Sequence, residues 1–207
     1  MRIKFEQLGY LDHADIELGE LTLICGTNNV GKTYLNYGVY GVLEGLPMAM
    51  HFTVSRFVQE ALKVQDTFKL IEDRQFEIHL DSIKENFSKI LKSASGMLRQ
   101  GFSTVFSSSE ELFASTKIDL PTENWLPIDF LYAHQDTQEY PGFLLTTEKQ
   151  AGESSFLFGL LSKKTQFDMQ EKRIIYNYIE SQLTEYILNR IPSAPFPKRK
   201  SRLNLKT

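Results

Sequence analysis

Apolar residues recur along this chain at two spacings. Near its start Ile3, Phe5 and Leu8 stand among polar neighbours and Ala14-Asp15-Ile16-Glu17-Leu18 alternates, which predicts two half-buried strands. Gly19-Glu20 signals a tight turn, and Leu21-Thr22-Leu23-Ile24-Cys25 is short, apolar and β-prone, as a buried strand is. From residue 33 to about 46 the spacing becomes helical, with Tyr34, Leu35, Val39, Val42 and Leu43 on the apolar faces. A second helix is predicted from 52 to about 68, then a strand over 75–80. Asp81 caps a further helix through Ile83, Phe87, Ile90, Leu91 and Leu98. Ser108 and Glu111 fit a capping box. Strands are predicted at 116–120, 128–132 and 143–147, while 156–161 reads as a strand or a short buried helix. Ile174, Ile175, Tyr178, Ile179, Leu183, Tyr186 and Ile187 form a helical stripe over about 168–190, read as a helix packed on its own domain. Beyond it, prolines break the pattern, and residues 198–206 are basic without an acid, as a solvated tail is.

The chemistry concentrates between the third predicted strand and the first helix. Gly26-Thr27-Asn28-Asn29-Val30-Gly31-Lys32-Thr33 fits G-x-x-x-x-G-K-[ST], the phosphate-binding loop, in the strand-to-helix context that loop requires. Such a loop aims successive backbone N–H groups at phosphate oxygens. Gly26 and Gly31 permit the turn. Asn29 stands where many such loops carry glycine, and asparagine tolerates positive φ. Lys32 is expected to reach the β- and γ-phosphates, Thr33 to ligate Mg²⁺, and the helix N-terminus to favour the anion. At average composition such a match arises by chance in about one chain of this length in a hundred.

Residues 1–46 resemble the start of the ABC-type ATPases of the SMC, RecF and OLD group. The shared features are the strand Arg2-Ile3-Lys4-Phe5, a turn near Gly9, the strand Asp15-Ile16-Glu17-Leu18, and an early loop of the form G-x-N-N-x-G-K-T. That form looks most like the OLD-like and RecF-like branch, which includes AAA-family ATPase subunits of bacterial phage-defence and DNA-maintenance systems. The resemblance implies ATP and Mg²⁺ as cofactors, bound between two heads of a head-to-tail dimer, with DNA as a further partner by analogy. It also implies a Ser-Gly signature loop and a strand ending in Asp-Glu. Ala94-Ser95-Gly96-Met97 is the best formal signature match but lies inside a helical pattern. Leu70-Ile71-Glu72-Asp73 and residues 76–81 are imperfect acidic strands. Gln135 is the candidate for the catalytic glutamine that contacts Mg²⁺ and water, and Tyr10 or His13 for a base-stacking residue. Members of the group continue for hundreds of residues past the point reached here, so the expectation is a half-site that hydrolyses ATP weakly alone and is completed by a second head or a further C-terminal half.

The expected fold is therefore α/β, a P-loop NTPase N-terminal lobe with a mixed β-sheet and an inserted helical region. Residues 1–50 carry the strands, the loop and its helix; 51–110 form the insertion; 111–190 return to the same domain; 191–207 are the basic tail. Two alternatives remain open. A compact P-loop kinase would need an acidic Mg²⁺ residue such as Asp81 or Asp129. A degenerate interaction module would keep the loop only as scaffold. No Asn-Lys-x-Asp guanine motif occurs.

Composition narrows this only slightly. The 207 residues suit one domain, or one with an insertion, and a net charge of -3 gives no global attraction to nucleic acid. One cysteine, Cys25, excludes an internal disulfide and suits reducing cytoplasm; at the end of a buried strand it is expected to be a small buried residue. The chain enters its first strand without an apolar leader, and no apolar run approaches the roughly 18 residues of a membrane span. His13, His51, His79 and His134 match no metal-ligand spacing.

Overall fold

The structure is a computed structural model that describes residues 1–62, 64–121 and 132–190. Its described residues divide into two units, one from 1–45 with 95–121, the other from 46–94 with 132–190. At 45–46 and 94–95 the chain passes from one to the other inside helices, whereas the expected divisions lie at 50 and 110.

The first unit is built on a hairpin, β1 (Arg2–Leu8) and β2 (Leu11–Glu17), joined by Gly9-Tyr10. Leu8 faces Leu11 across this two-residue turn, and Gly9 takes the positive φ, +58°, that such turns demand. Ile3 and Phe5 are fully buried at odd positions, but the next buried residue is Leu8. The phase changes at Gln7, whose φ is +53° and whose carbonyl accepts a hydrogen bond from Thr116 Oγ1 at 2.5 Å. β1 is central: its other edge pairs antiparallel with β4 (Lys117–Asp119), giving the order β2-β1-β4. Phe102, fully buried, meets Phe5 at 6.4 Å and Phe113 at 5.8 Å between ring centroids, and Phe106 lies 4.7 Å from Phe113. These rings come from α4 (Phe102–Phe106) and a 3-10 turn at Glu110–Phe113. Ser109, not Ser108, precedes that turn, and it holds the Glu111 carboxyl below its usual range by a side-chain hydrogen bond.

In the second unit the sheet order is β3-β7-β6-β5, from β3 (Gln75–His79), β5 (His134–Tyr140), β6 (Phe143–Lys149) and β7 (Ser155–Ser162), all pairs antiparallel. Residues 156–161 are thus strand. The helix α5 (Met169–Arg190) starts with a capping box: Glu171 N donates to Asp168 Oδ1 at 2.8 Å, and Asp168 N to Glu171 Oε2 at 3.1 Å. Its stripe of Ile175, Tyr178, Ile179, Leu183, Tyr186 and Ile187 is buried, with Tyr186 edge-on to Phe156 at 4.7 Å. The expected packing of this helix on its own domain is what the structure has. α2 (Val64–Asp73) and α3 (Asp81–Leu98) complete the elements.

Four expectations are corrected. The two helices predicted around 33–46 and 52–68 are one, α1 (Lys32–Ala61), running through Pro47. Pro47 is exposed, and buried Val42, Leu46, Ala49, Met50 and Val54 continue the apolar pattern across it, so packing outweighs the one lost backbone bond. Residues 21–25 form no strand. Strand β5 was not predicted, because its sequence HQDTQEY has no apolar alternation. The described strands make two antiparallel sheets, not one mixed sheet with parallel pairs. The strand predicted at 128–132 falls, but for Tyr132, outside the described residues, as do Asp129 and the basic tail.

Two outcomes follow from the cores. Truncating Phe102 to Ala should cost about 3–5 kcal/mol, the usual loss for an emptied aromatic site, read by denaturant unfolding. In the second unit, burial and then the charge of Asp136 push the Tyr178 hydroxyl up to about 12. The folded state therefore holds this proton more tightly than the unfolded chain does. Stability should be intact below pH 10 and fall as pH rises from 10 to about 12, and Tyr178→Phe should flatten that slope.

Candidate functional site: the loop at residues 26–33

The glycine-lysine loop lies between the hairpin and α1, and two side chains lock it in place. A Cβ on Gly31 would sit 2.2 Å from Leu11 Cδ2, so Leu11 occupies the room a side chain there would need. A Cβ on Gly9 would sit 2.5 Å from the Tyr34 ring. The hairpin thus grips the loop and the helix grips the hairpin. Gly31 has φ +85° and Asn29 +65°, so the expected positive φ at Asn29 is observed. Leu35 N donates to Gly31 O at 2.9 Å, the first bond of α1.

Lys32 opens that helix, and its ammonium turns back on the loop. Nζ donates to Gly26 O at 2.9 Å and to Thr27 O. Thr33 follows, exposed, and the first helical turn carries no acid to offset the positive end of its dipole. Residues 26–30 are exposed. The arrangement offers an anion a lysine, a helix N-terminus and a chain with positive φ at Gly26, Asn29 and Gly31.

The stretch leading into the loop departs from expectation. Leu21 and Leu23 are 78% and 76% exposed and Cys25 is an exposed free thiol, not a small buried residue. The cause is the missing ladder: no described strand pairs with residues 21–25. Gly19 N donates to Thr22 Oγ1 at 3.1 Å, so the predicted turn persists before them.

The other candidates are scattered. Tyr10 is in the hairpin turn, 80% exposed and edge-on to Tyr34 at 5.4 Å. His13 is not in the turn but within β2, opposite Glu6. Gln135 is exposed on the edge strand β5, opposite Glu148, and belongs to the second unit while the loop belongs to the first. It is the second residue of that strand. Ala94-Ser95-Gly96-Met97 ends α3, with Ala94 and Ser95 buried, a helix-packing patch as its pattern suggested. Asp81 begins α3, where it accepts a hydrogen bond from Ser154 Oγ at 3.0 Å. Leu70-Ile71-Glu72-Asp73 is helical. What the pattern of residues missed is Leu11 as a brace, since a leucine in a strand carries no sign of the glycine it will cover.

Among the described residues no group of three or more His, Cys, Asp and Glu is placed to hold a metal. A cavity of about 570 Å³, lined by Arg99, Gln100, Glu110, Glu111 and Phe113 among others, includes no residue of the loop. No described helix is long and apolar enough to cross a membrane. The chain matches no protein-family model, and neither the curated proteins nor the solved structures contain a match to it.

Replacing Gly31 with Ala should test the brace. It forces a Cβ into the space of Leu11 at a φ that L-residues avoid, so a loss of about 1–3 kcal/mol is expected in denaturant unfolding. Gly31→Ala combined with Leu11→Ala should recover part of it.

Proposed function

We propose that the first unit binds Mg-ATP at residues 26–33, as the nucleotide-binding lobe of a cytoplasmic P-loop ATPase of the SMC/RecF/OLD type. The observation that carries the reading is Lys32 at the start of a 30-residue helix, its ammonium folded onto the carbonyls of Gly26 and Thr27 in a chain with positive φ at Gly26, Asn29 and Gly31. In binding, the N–H groups of the loop take the phosphate oxygens, and Lys32 adds the charge-assisted contact to the β- and γ-oxygens. Thr33 offers its hydroxyl to Mg²⁺, whose part is to neutralise phosphate charge. Of the candidate partner motifs, Leu70-Ile71-Glu72-Asp73 is helical, β3 ends in Ile-His rather than Asp-Glu, and Ala94-Ser95-Gly96-Met97 lies within α3. Cleavage would then depend on groups from a second head or from further chain, and the lobe alone would turn over slowly. DNA contact and a role in phage defence rest on the resemblance alone.

A second reading has one observation in its favour. With residues 21–25 outside any sheet, the loop lacks the strand that usually seats it, which suits an interaction module that keeps the loop as scaffold. Calorimetry with Mg-ATP separates the two. Binding should weaken roughly 10- to 100-fold or vanish in Lys32→Ala, the loss of a charge-assisted contact, with little phosphate released by either protein. No binding by folded wild type would sink the nucleotide reading and favour the module.

A further inference from the structure

The cavity of about 570 Å³ in the first unit has a size ordinary for a small-molecule site. Two segments line it. Residues 99–103 supply the Arg99 guanidinium, and residues 110–114 supply the carboxylates of Glu110 and Glu111 together with Phe113 and Ala114. Arg99 Nη1 donates to Ala114 O at 2.6 Å and so ties the segments together. Phe113 is buried, with Phe102 and Phe106 at 5.8 and 4.7 Å between ring centroids, so the lining is anchored in the core of its own unit.

The charges are the informative part. A guanidinium and two carboxylates line one cavity, yet among the described residues no ion pair joins them, so they stand more than 4.0 Å apart. Glu111 is engaged by Ser109. Glu110 has no bonded side-chain partner among the described residues, and Arg99 has one bond, through Nη1. That leaves the Nε–Nη2 edge of Arg99, the two-donor fork that matches a carboxylate. A simple anion in this cavity would meet two carboxylates, and a simple cation would meet the guanidinium. A ligand carrying both charges satisfies both sides, each through a charge-assisted bond.

We propose that this cavity binds a free α-amino acid with an apolar side chain. Its carboxylate takes the open edge of Arg99, its ammonium takes Glu110, and its side chain lies toward Phe113 and Ala114. The cavity includes no residue of the glycine-lysine loop, so the proposal does not rest on nucleotide binding and its measurement needs no nucleotide.

An amide-shift titration of the full chain with L-leucine and with L-phenylalanine tests it. At least one should saturate in the millimolar range and move signals of residues 99–103 and 110–114. Leucinamide, without the carboxylate, and N-acetylleucine, without the ammonium, should each bind at least about 10-fold more weakly, the loss of one charge-assisted bond. The protein should mirror the ligand. Arg99→Gln should weaken leucine by a similar factor and leave leucinamide unchanged; Glu110→Gln should do the same for leucine and leave N-acetylleucine unchanged. Should Arg99→Gln disturb the fold by losing its bond to Ala114, the exposed Glu110→Gln variant and the two ligand analogues carry the test. No saturable shift with either amino acid up to about 50 mM, shifts confined to other residues, or binding indifferent to removal of either charge would each overturn the proposal.

Discussion

Two side chains stand where two glycines have none, and the first unit depends on that exchange. Leu11 of the hairpin fills the space above Gly31 of the loop, and Tyr34 of the helix fills the space above Gly9 of the hairpin. The hairpin thus seats the loop, and the helix that follows the loop seats the hairpin. Because the contacts are with missing Cβ atoms, they tolerate no larger residue at either glycine. The geometry of the loop is thus set less by the loop than by a turn some twenty residues upstream. Its own contribution is the positive φ of Asn29 and Gly31, which lets the chain double back within the reach of Lys32.

How much of this was legible varied with the physical origin of each element. The hairpin, the loop and α5 could be read because their determinants are local: alternation, a two-residue turn, a glycine-lysine motif, a stripe at helical spacing. The capping box of α5 is equally local, written in Asp168 and Glu171. Residues 21–25 misled because a strand is a property of two segments. Their sequence satisfies every local rule for a buried strand, but no described strand lies beside them. The edge strand β5 misled in the opposite sense. HQDTQEY has no core pattern, yet it is held by the register with β6 and by side chains reaching α5: His134 Nε2 lies 2.8 Å from Gln182 Oε1, and Tyr178 donates to Asp136 at 3.2 Å. Gln135 lies in this strand, opposite Glu148, and in the unit that does not carry the glycine-lysine loop.

The lysine is held by the chain itself. A free ammonium at the positive end of a helix is electrostatically unfavourable, since both carry the same sign. Folding Nζ back onto Gly26 O and Thr27 O neutralises part of that repulsion and keeps the side chain on the concave side of the loop. In the proposed nucleotide reading, an incoming phosphate would exchange those carbonyl dipoles for a full negative charge, and the gain would be the difference between two satisfied states. That difference is smaller than the full strength of a lysine–phosphate contact.

Pro47 has a consequence for how the longest helix comes apart. Without an N–H there, the carbonyl of Leu43 has no partner within the helix, so the ladder of α1 is interrupted near its middle. Local opening can start at an interruption without first breaking a bond. The turn at residues 43–47 is then the place where backbone amides should exchange with solvent through brief, shallow fluctuations. The amides on either side, anchored by Val39 and Val42 before it and by Met50 and Val54 after it, would be released in separate, costlier events. A single continuous helix would behave, on the timescale of exchange, as two cooperative pieces.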